Sequence, residues 1–428
     1  MVLNYIWIGF FVIGFIVALF RVVGYAFREF LPEHLGMVFT IADRDVFTAI
    51  VQSTFEMAKT SVEISIYLIG VMTLWLGIMK IGERGGAVGA LSRIMNPLFS
   101  RIFPGIPKNH PAMGSIMMNF SANMLGLDNA ATPLGLKAMN ELQEINPDEK
   151  KASDPMIMFL VLNTSSLTLI PISVLAMRMA AGAKMPTDIL VPMILATYFS
   201  TMAGLVFVAV RQRINLFNRV VLAYLGVITL LIAGLIWYIT SLPEAQVPSR
   251  TGFVGNFLLF LVIIVFLILG VRKKLNLYET FIEGAREGFQ VAVKIIPYLV
   301  AMLVAIGVFR ASGSFQFLMN GVASFFALFG FDTRFVDALP VALMKPMSGS
   351  GARGLMVEAM NTFGPDSFAG RLACIMQGST ETTFYTVAVY YGAVNIRNTR
   401  YTVTGGLLAD LAGVIASIFL AYMFFGAS

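Results

Sequence analysis

A chain of 428 residues that is 57% apolar and 13% charged, with mean hydropathy +0.80, is too apolar for a soluble domain, in which about a quarter of residues are charged. The net charge of +6 does not indicate nucleic acid, because the basic residues stand singly or in short clusters at the ends of apolar runs, as in the cytoplasmic loops of membrane proteins. One cysteine, Cys374, excludes an internal disulfide and a thiolate metal cluster, and two histidines, His34 and His110, argue against a histidine metal site and a Ser/His/Asp triad; neither a metal nor an enzymatic activity is expected.

Residues 1–42 hold an apolar run, Tyr5 to Phe27, too long for a signal peptide and without a basic start or small-residue cleavage site, so it reads as a retained membrane helix. Residues 43–213 open with a long helix, amphipathic at first (Phe47, Ile50, Val51 and Phe55 against Gln52, Glu56 and Lys59) and apolar from Ile64 to Met79. Short segments broken at Asn96-Pro97, Phe103-Pro104-Gly105 and Ile106-Pro107 follow. Next come a polar stretch from Asn119 to Pro133 and two spans, Met156 to Met177 and Ile189 to Val210. Residues 214–274 add two plain spans, Val220 to Ile239 and Phe253 to Val271. Residues 275–428 then repeat the earlier order, with spans at Ile295 to Phe309, Leu372 to Val394 and Tyr401 to Phe425 around a second polar stretch, Lys345 to Gly354. A bilayer takes roughly 20 apolar residues per helix, so the fold expected is an all-α integral membrane protein with about nine to ten spans.

The repetition is visible residue by residue. Ala131–Asn140 matches Ala352–Asn361, Pro147-Asp148 matches Pro365-Asp366, and Asn163–Thr168 matches Gln377–Thr382. Matches in the same order over two long stretches indicate duplication. The Gly/Pro-rich segments predict re-entrant or discontinuous helices, because non-helical backbone survives at membrane depth only where protein or water satisfies it. Broken segments at corresponding places in two halves predict a solute site at their interface. The clusters Arg211/Arg213/Arg219 and Arg272–Lys274 belong on one, cytoplasmic, side. Arg21 and Arg28 would put the end of the first span there too, which favours parallel copies.

The polar residues supply the candidate substrate-binding set. Asn119, Asn123, Asp128, Asn129 and Thr132 surround the first break, with Asp128-Asn129 expected to cap a helix starting near Thr132. Lys345, Ser348, Ser350 and Arg353 surround the second, where Ser-Gly-Ser-Gly departs from P-loop spacing but suits an anionic group. Asn163 and Ser165 belong to one hydroxyl-rich helix, and Gln377, Ser379, Thr380, Glu381 and Thr382 to its counterpart. Intramembrane hydroxyls also serve as interhelical glue. Glu381 stands out as a carboxylate inside a span, costly there and functional by default, or else paired with Lys345 or Arg353. Asp410 is a second intramembrane carboxylate, closer to a span end, and is either functional or a solvated acid at the interface. Lys137 and Glu358, at equivalent repeat positions, would meet across the interface or be two solvated faces.

Ser121–Met139 resembles the signature of spore maturation protein A; Lys345–Gly354 and Gln377–Tyr385 resemble spore maturation protein B. The chain is thus similar, over nearly its whole length, to a fusion of two members of the Gate or nucleoside-recognition family, whose relatives include gates of the bacterial ferrous-iron permease and of concentrative nucleoside transporters. The resemblance implies a multi-pass protein of the bacterial cytoplasmic membrane, Gate repeats in inverted orientation, and a link to spore or envelope maturation. The function expected is transport of a small polar, anionic solute, with no cofactor and with H⁺ or Na⁺ as coupling ion at Glu381 or Asp128. The alternative is a non-transporting scaffold for envelope or cortex assembly. The partners expected are the lipid bilayer and the solute, with no nucleic acid and with room for a homo-oligomer.

Overall fold

The computed structural model describes residues 2–28, 39–165, 168–243 and 246–426, with the side chains of residues 2, 3 and 128–130 outside that description. Its elements are helices, in an order that repeats. After α1 (Val2–Ala26) and a one-turn α2 (Ile41–Arg44), the first copy comprises α3 (Val46–Gly85), α4 (Ala87–Ile102), α5 (Pro111–Met124), α6 (Asp128–Glu144), α7 (Asp154–Ser165), α8 (Ile172–Ala180) and α9 (Leu190–Gln212). Two helices, α10 (Arg219–Thr240) and α11 (Val247–Arg272), intervene. The second copy follows the same order: α12 (Leu277–Ala311), α13 (Ser314–Ala327), a 3₁₀ turn leading into α14 (Leu339–Met344), α15 (Gly349–Phe363), α16 (Phe368–Ser379), α17 (Thr383–Ala393) and α18 (Thr402–Phe425). Ala131–Asn140 and Ala352–Asn361 occupy the same place in α6 and α15, each beginning at the fourth residue of its helix.

Seven helices among the described residues (α1, α3, α9, α10, α11, α12 and α18) are long and apolar enough to cross a membrane. The runs Met156–Met177 and Leu372–Val394, expected as single spans, are each interrupted, into α7–α8 and α16–α17. Their apolar length is sufficient, but hydroxyl side chains at the breaks offer the backbone partners other than the helical ladder. Counting each interrupted pair as one crossing gives nine among the described residues.

The copies are inverted. The leading helices pack along their length with Gly288 against Met72 and Thr73, Gly77 against Phe281, and Gly307 against Ser53 and Met57. Residue numbers rise along α12 as they fall along α3, so the two run antiparallel. Salt bridges Lys80–Glu287 (3.0 Å) and Arg84–Glu283 (2.7 Å) fix the same register at one end. The closing helices do likewise: Gly204 meets Ala409, Gly405 meets Phe207, and Ser200 Oγ donates to Ala409 O at 2.8 Å. α1 runs parallel to α12, tied by Trp7 Nε1 to Ala301 O (2.9 Å) and by Arg21 to Ser312 O (3.0 Å). The parallel arrangement favoured by Arg21 and Arg28 is therefore wrong. Arg21 is neutralised by Asp43 at 2.6 Å and reports nothing about sidedness.

The break expected at Asn96-Pro97 is displaced. Pro97 lies inside α4, on the exposed and largely polar face of an amphipathic helix, where one lost backbone donor is tolerated, and the chain leaves the helix only at Phe103. Asp128 and Asn129 are the first residues of α6 and do not precede it as caps; its N-cap is Leu127.

Candidate functional site

Four helix breaks converge at the centre of the bundle. Between α5 and α6 the chain turns at Gly126, whose φ of +72° favours glycine and where a Cβ would lie 2.6 Å from Ile170 O. Asn119 bridges this turn by donating to Ala131 O at 2.7 Å, and Leu169 N donates to Met124 O at 2.9 Å, joining the hairpin to the break between α7 and α8. The second copy repeats the device: Phe384 N, just past the α16–α17 break, donates to Pro346 O at 3.0 Å in the α14–α15 break. Ser348 Oγ caps α15 by accepting from Gly351 N at 3.0 Å. One backbone bond then joins the copies, Glu381 N to Thr164 O at 2.7 Å.

These breaks enclose a cavity of about 800 Å³. The first copy contributes Asn123, Thr132, Asn163 and Thr168; the second contributes Lys345, Ser348, Ser350, Arg353, Gln377, Thr380, Glu381 and Thr382. Asn123 donates to Asn163 Oδ1 at 2.9 Å, so the amides of α5 and α7 form one polar strip. Lys345, Ser348, Gln377, Thr380 and Thr382 are buried, whereas Thr132 and Glu381 lie open. The described lining carries three cations, Lys294, Lys345 and Arg353, and one carboxylate, Glu381. Among the described residues no salt bridge ties Glu381 to Arg353. Among the described residues Gln377 Oε1 has no hydrogen-bond partner, although the residue is only 4% exposed. An unmet buried acceptor costs about 1–3 kcal/mol, which a donor on a bound solute would offset.

Three residues of the candidate set stand away from the cavity. Asn119 is fully buried and staples the turn. Ser165 and Ser379, at equivalent ends of α7 and α16, donate to Leu162 O and Met376 O at 2.9 Å and satisfy their own last turns. The side chains of Asp128 and Asn129 lie outside the described structure. Lys137 and Glu358 do not meet: Lys137 pairs with Glu141 at 3.8 Å, and Glu358 with Arg310 at 2.5 Å. Asp410 is not a solvated interfacial acid; it is 4% exposed, with the Thr383 hydroxyl donating to Oδ2 at 2.6 Å.

Sequence reasoning missed Lys294 and Tyr298 of α12 and Tyr390 of α17, all on the cavity wall. A signal for the first pair was present: a lysine and a tyrosine flanking Pro297, a proline inside an apolar helix. Also missed was a buried charge cluster beyond the cavity. Asp188, at 0% exposure, takes Arg178 at 3.0 Å and Arg371 at 2.8 Å, and Arg178 reaches across to Asp366 of the second copy at 3.1 Å. It bolts the two copies together where α8 and α16 meet.

Residues 65–217 and 292–397 match the family profile described as Gate, nucleoside recognition. Spore maturation protein B of Bacillus subtilis (strain 168) is 47% identical over 162 residues, 38% of this chain and 89% of that protein. Spore maturation protein A of the same organism is 45% identical over 172 residues, 40% of this chain and 87% of that protein. The two cover different parts of the chain, as in a fusion. No solved structure matches.

Proposed function

The chain belongs to the Gate family, as a membrane protein with counterparts of spore maturation proteins A and B joined in one chain, and from that premise we propose that it is a transporter of a small polar solute with anionic character. The observation that carries this reading is the central cavity, walled by the helix breaks of two inverted copies. Broken helices at the interface of inverted repeats are the arrangement in which secondary transporters hold solute near the midplane. Lys294, Lys345 and Arg353 supply positive charge, the N-terminus of α15 adds backbone donors, and Gln377 and the threonines fix orientation. The names of the relatives support a place in spore or envelope maturation, and the family supports a bacterial inner membrane with the Arg211–Arg219 and Arg272–Lys274 face toward the cytoplasm.

The test is uptake by purified protein in sealed proteoliposomes against a panel of small carboxylates, phosphates, neutral nucleosides and amino acids. Saturable uptake of an anionic member, reduced at least tenfold by Arg353→Ala, is the expected result. A folded protein that moves no member of the panel would favour a non-transporting scaffold.

A further inference from the structure

Asp410 lies in the interior stretch of α18, and its two oxygens are treated differently. Oδ2 accepts the Thr383 hydroxyl, whereas Oδ1 has no hydrogen-bond partner within bonding distance among the described residues. One turn to either side, Gly406 packs against Thr164 and Thr383, and Gly413 against Ser200, Ser379 and Thr380. Three of these hydroxyls have their protons committed elsewhere: Thr164 to Val161 O (2.9 Å), Ser379 to Met376 O (2.9 Å) and Ser200 to Ala409 O (2.8 Å). What remains on them is lone pairs. With those three protons spent, Oδ1 is relieved by a cation or by the Thr380 hydroxyl, the remaining donor beside it.

The position is also close to the cavity in sequence and space. Thr380 and Thr382 line the cavity, and Thr383, the next residue, holds Asp410. In the first copy the equivalent helix, α9, carries no acid, so shared packing does not demand one. A divalent or transition-metal ion would need several more anionic or imidazole ligands, and among the described residues no group of three or more such side chains is placed to hold one. A proton needs a single oxygen.

We infer that Asp410 is the proton-binding site of the transport cycle, loaded on Oδ1 behind the Thr380–Thr383 break. Its place in a cycle rests on the transport reading; the proton site itself does not. The charged groups acting on it from other elements are Lys345 and Glu381, both on the cavity wall, while α7, α9, α16 and α17 face it with the hydroxyls named above. An anionic solute at Lys345 screens that cation from Asp410 and so raises the affinity of Asp410 for a proton. Solute and proton therefore load together. No bond other than O–H forms, and the proton leaves as the solute leaves.

The experiment is infrared difference spectroscopy on the full-length purified protein in lipid, titrated from about pH 4 to about pH 9, a range that brackets ordinary carboxylates. The expected result is a protonated-carboxyl C=O band that persists to higher pH than the exposed acids, is lost in Asp410→Asn and is retained in Glu381→Gln. Thr383→Val removes the donor that favours the ionised form and moves the band's midpoint up by about one pH unit; it also serves if Asp410→Asn fails to fold. A band unaltered by both substitutions overturns the assignment, as does a carboxylate that is ionised throughout and responds to NaCl instead of pH. Failure of every solute in the uptake panel leaves this titration readable, so the two readings fail separately.

Discussion

Glu381 and Arg178 are both charged residues of the helical bundle, held in opposite ways. Glu381 opens to the cavity and among the described residues has no salt bridge to Arg353, so Glu381→Gln removes charge from an open side chain and not from an enclosed pair. Solute flux is expected to fall at least tenfold while thermal stability changes by less than about 0.5 kcal/mol, the usual range for substitutions away from packing; flux and melting of the same preparation give both numbers. Arg178 is enclosed, with Asp188 and Asp366 as partners. Arg178→Met strands Asp188 with one of its two arginines, and removing one partner of a buried pair costs about 3–5 kcal/mol. A variant that melts with the wild type would show that Asp188 is held by Arg371 alone. The polar strips were legible in the sequence because residues such as Asn123, Lys345, Gln377 and Glu381 are costly inside a membrane and have to be explained. The Arg178–Asp188 pair was not, because both flank a loop and read as ordinary surface charge; only folding brings Arg371 and Asp366 to them.

Among the elements, the contact between α3 and α12 depends on glycines at the points of closest approach. A Cβ at Gly288 would lie 2.5 Å from Met72 O and 2.8 Å from Thr73 Cα, which are backbone atoms that cannot step aside. Gly288→Ala therefore forces the helices apart and is expected to cost about 1–3 kcal/mol, as overpacking does, whereas Gly70→Ala, with open space around it, should be neutral. Equal melting of the two would mean that the helices are not this close. Helix existence was readable from apolar length, but the position of breaks was not always so. The stretch Asn119 to Pro133 was correctly read as broken, and the turn falls at Gly126, where the chain needs left-handed backbone, while Pro133 lies inside α6. Pro97 was misread, since a proline in an amphipathic, half-exposed helix bends it without ending it. The runs Met156–Met177 and Leu372–Val394 looked continuous because hydropathy cannot see that a hydroxyl prefers a neighbouring carbonyl to the helical ladder.

For the molecule as a whole, the inversion of the copies sets which loops share a face. Arg213 and Lys273 belong to one face, Lys184 and Arg250 to the other, and the native Cys374 is fully buried. Single cysteines at these four positions should therefore label with a membrane-impermeant maleimide in two exclusive pairs, over a silent wild-type background. Labelling of Arg213→Cys and Arg250→Cys from the same side would refute the topology. The duplication was plain from the matched motifs, but its sense was not, because charge bias at Arg21 pointed the wrong way and sidedness follows from how α3 lies against α12.

The crossing count has a consequence for biogenesis. Each copy crosses an odd number of times (α3, α7–α8 and α9 in the first; α12, α16–α17 and α18 in the second), so it begins on one side and ends on the other. Two such units translated in series through an even number of intervening helices come out with opposite senses automatically. Had they been made as separate polypeptides, each would need its own charge signal to insert the right way round, and the cell would have to match their amounts. In this chain the insertion of the first copy dictates that of the second, and every molecule made carries both halves of its cavity in a one-to-one ratio.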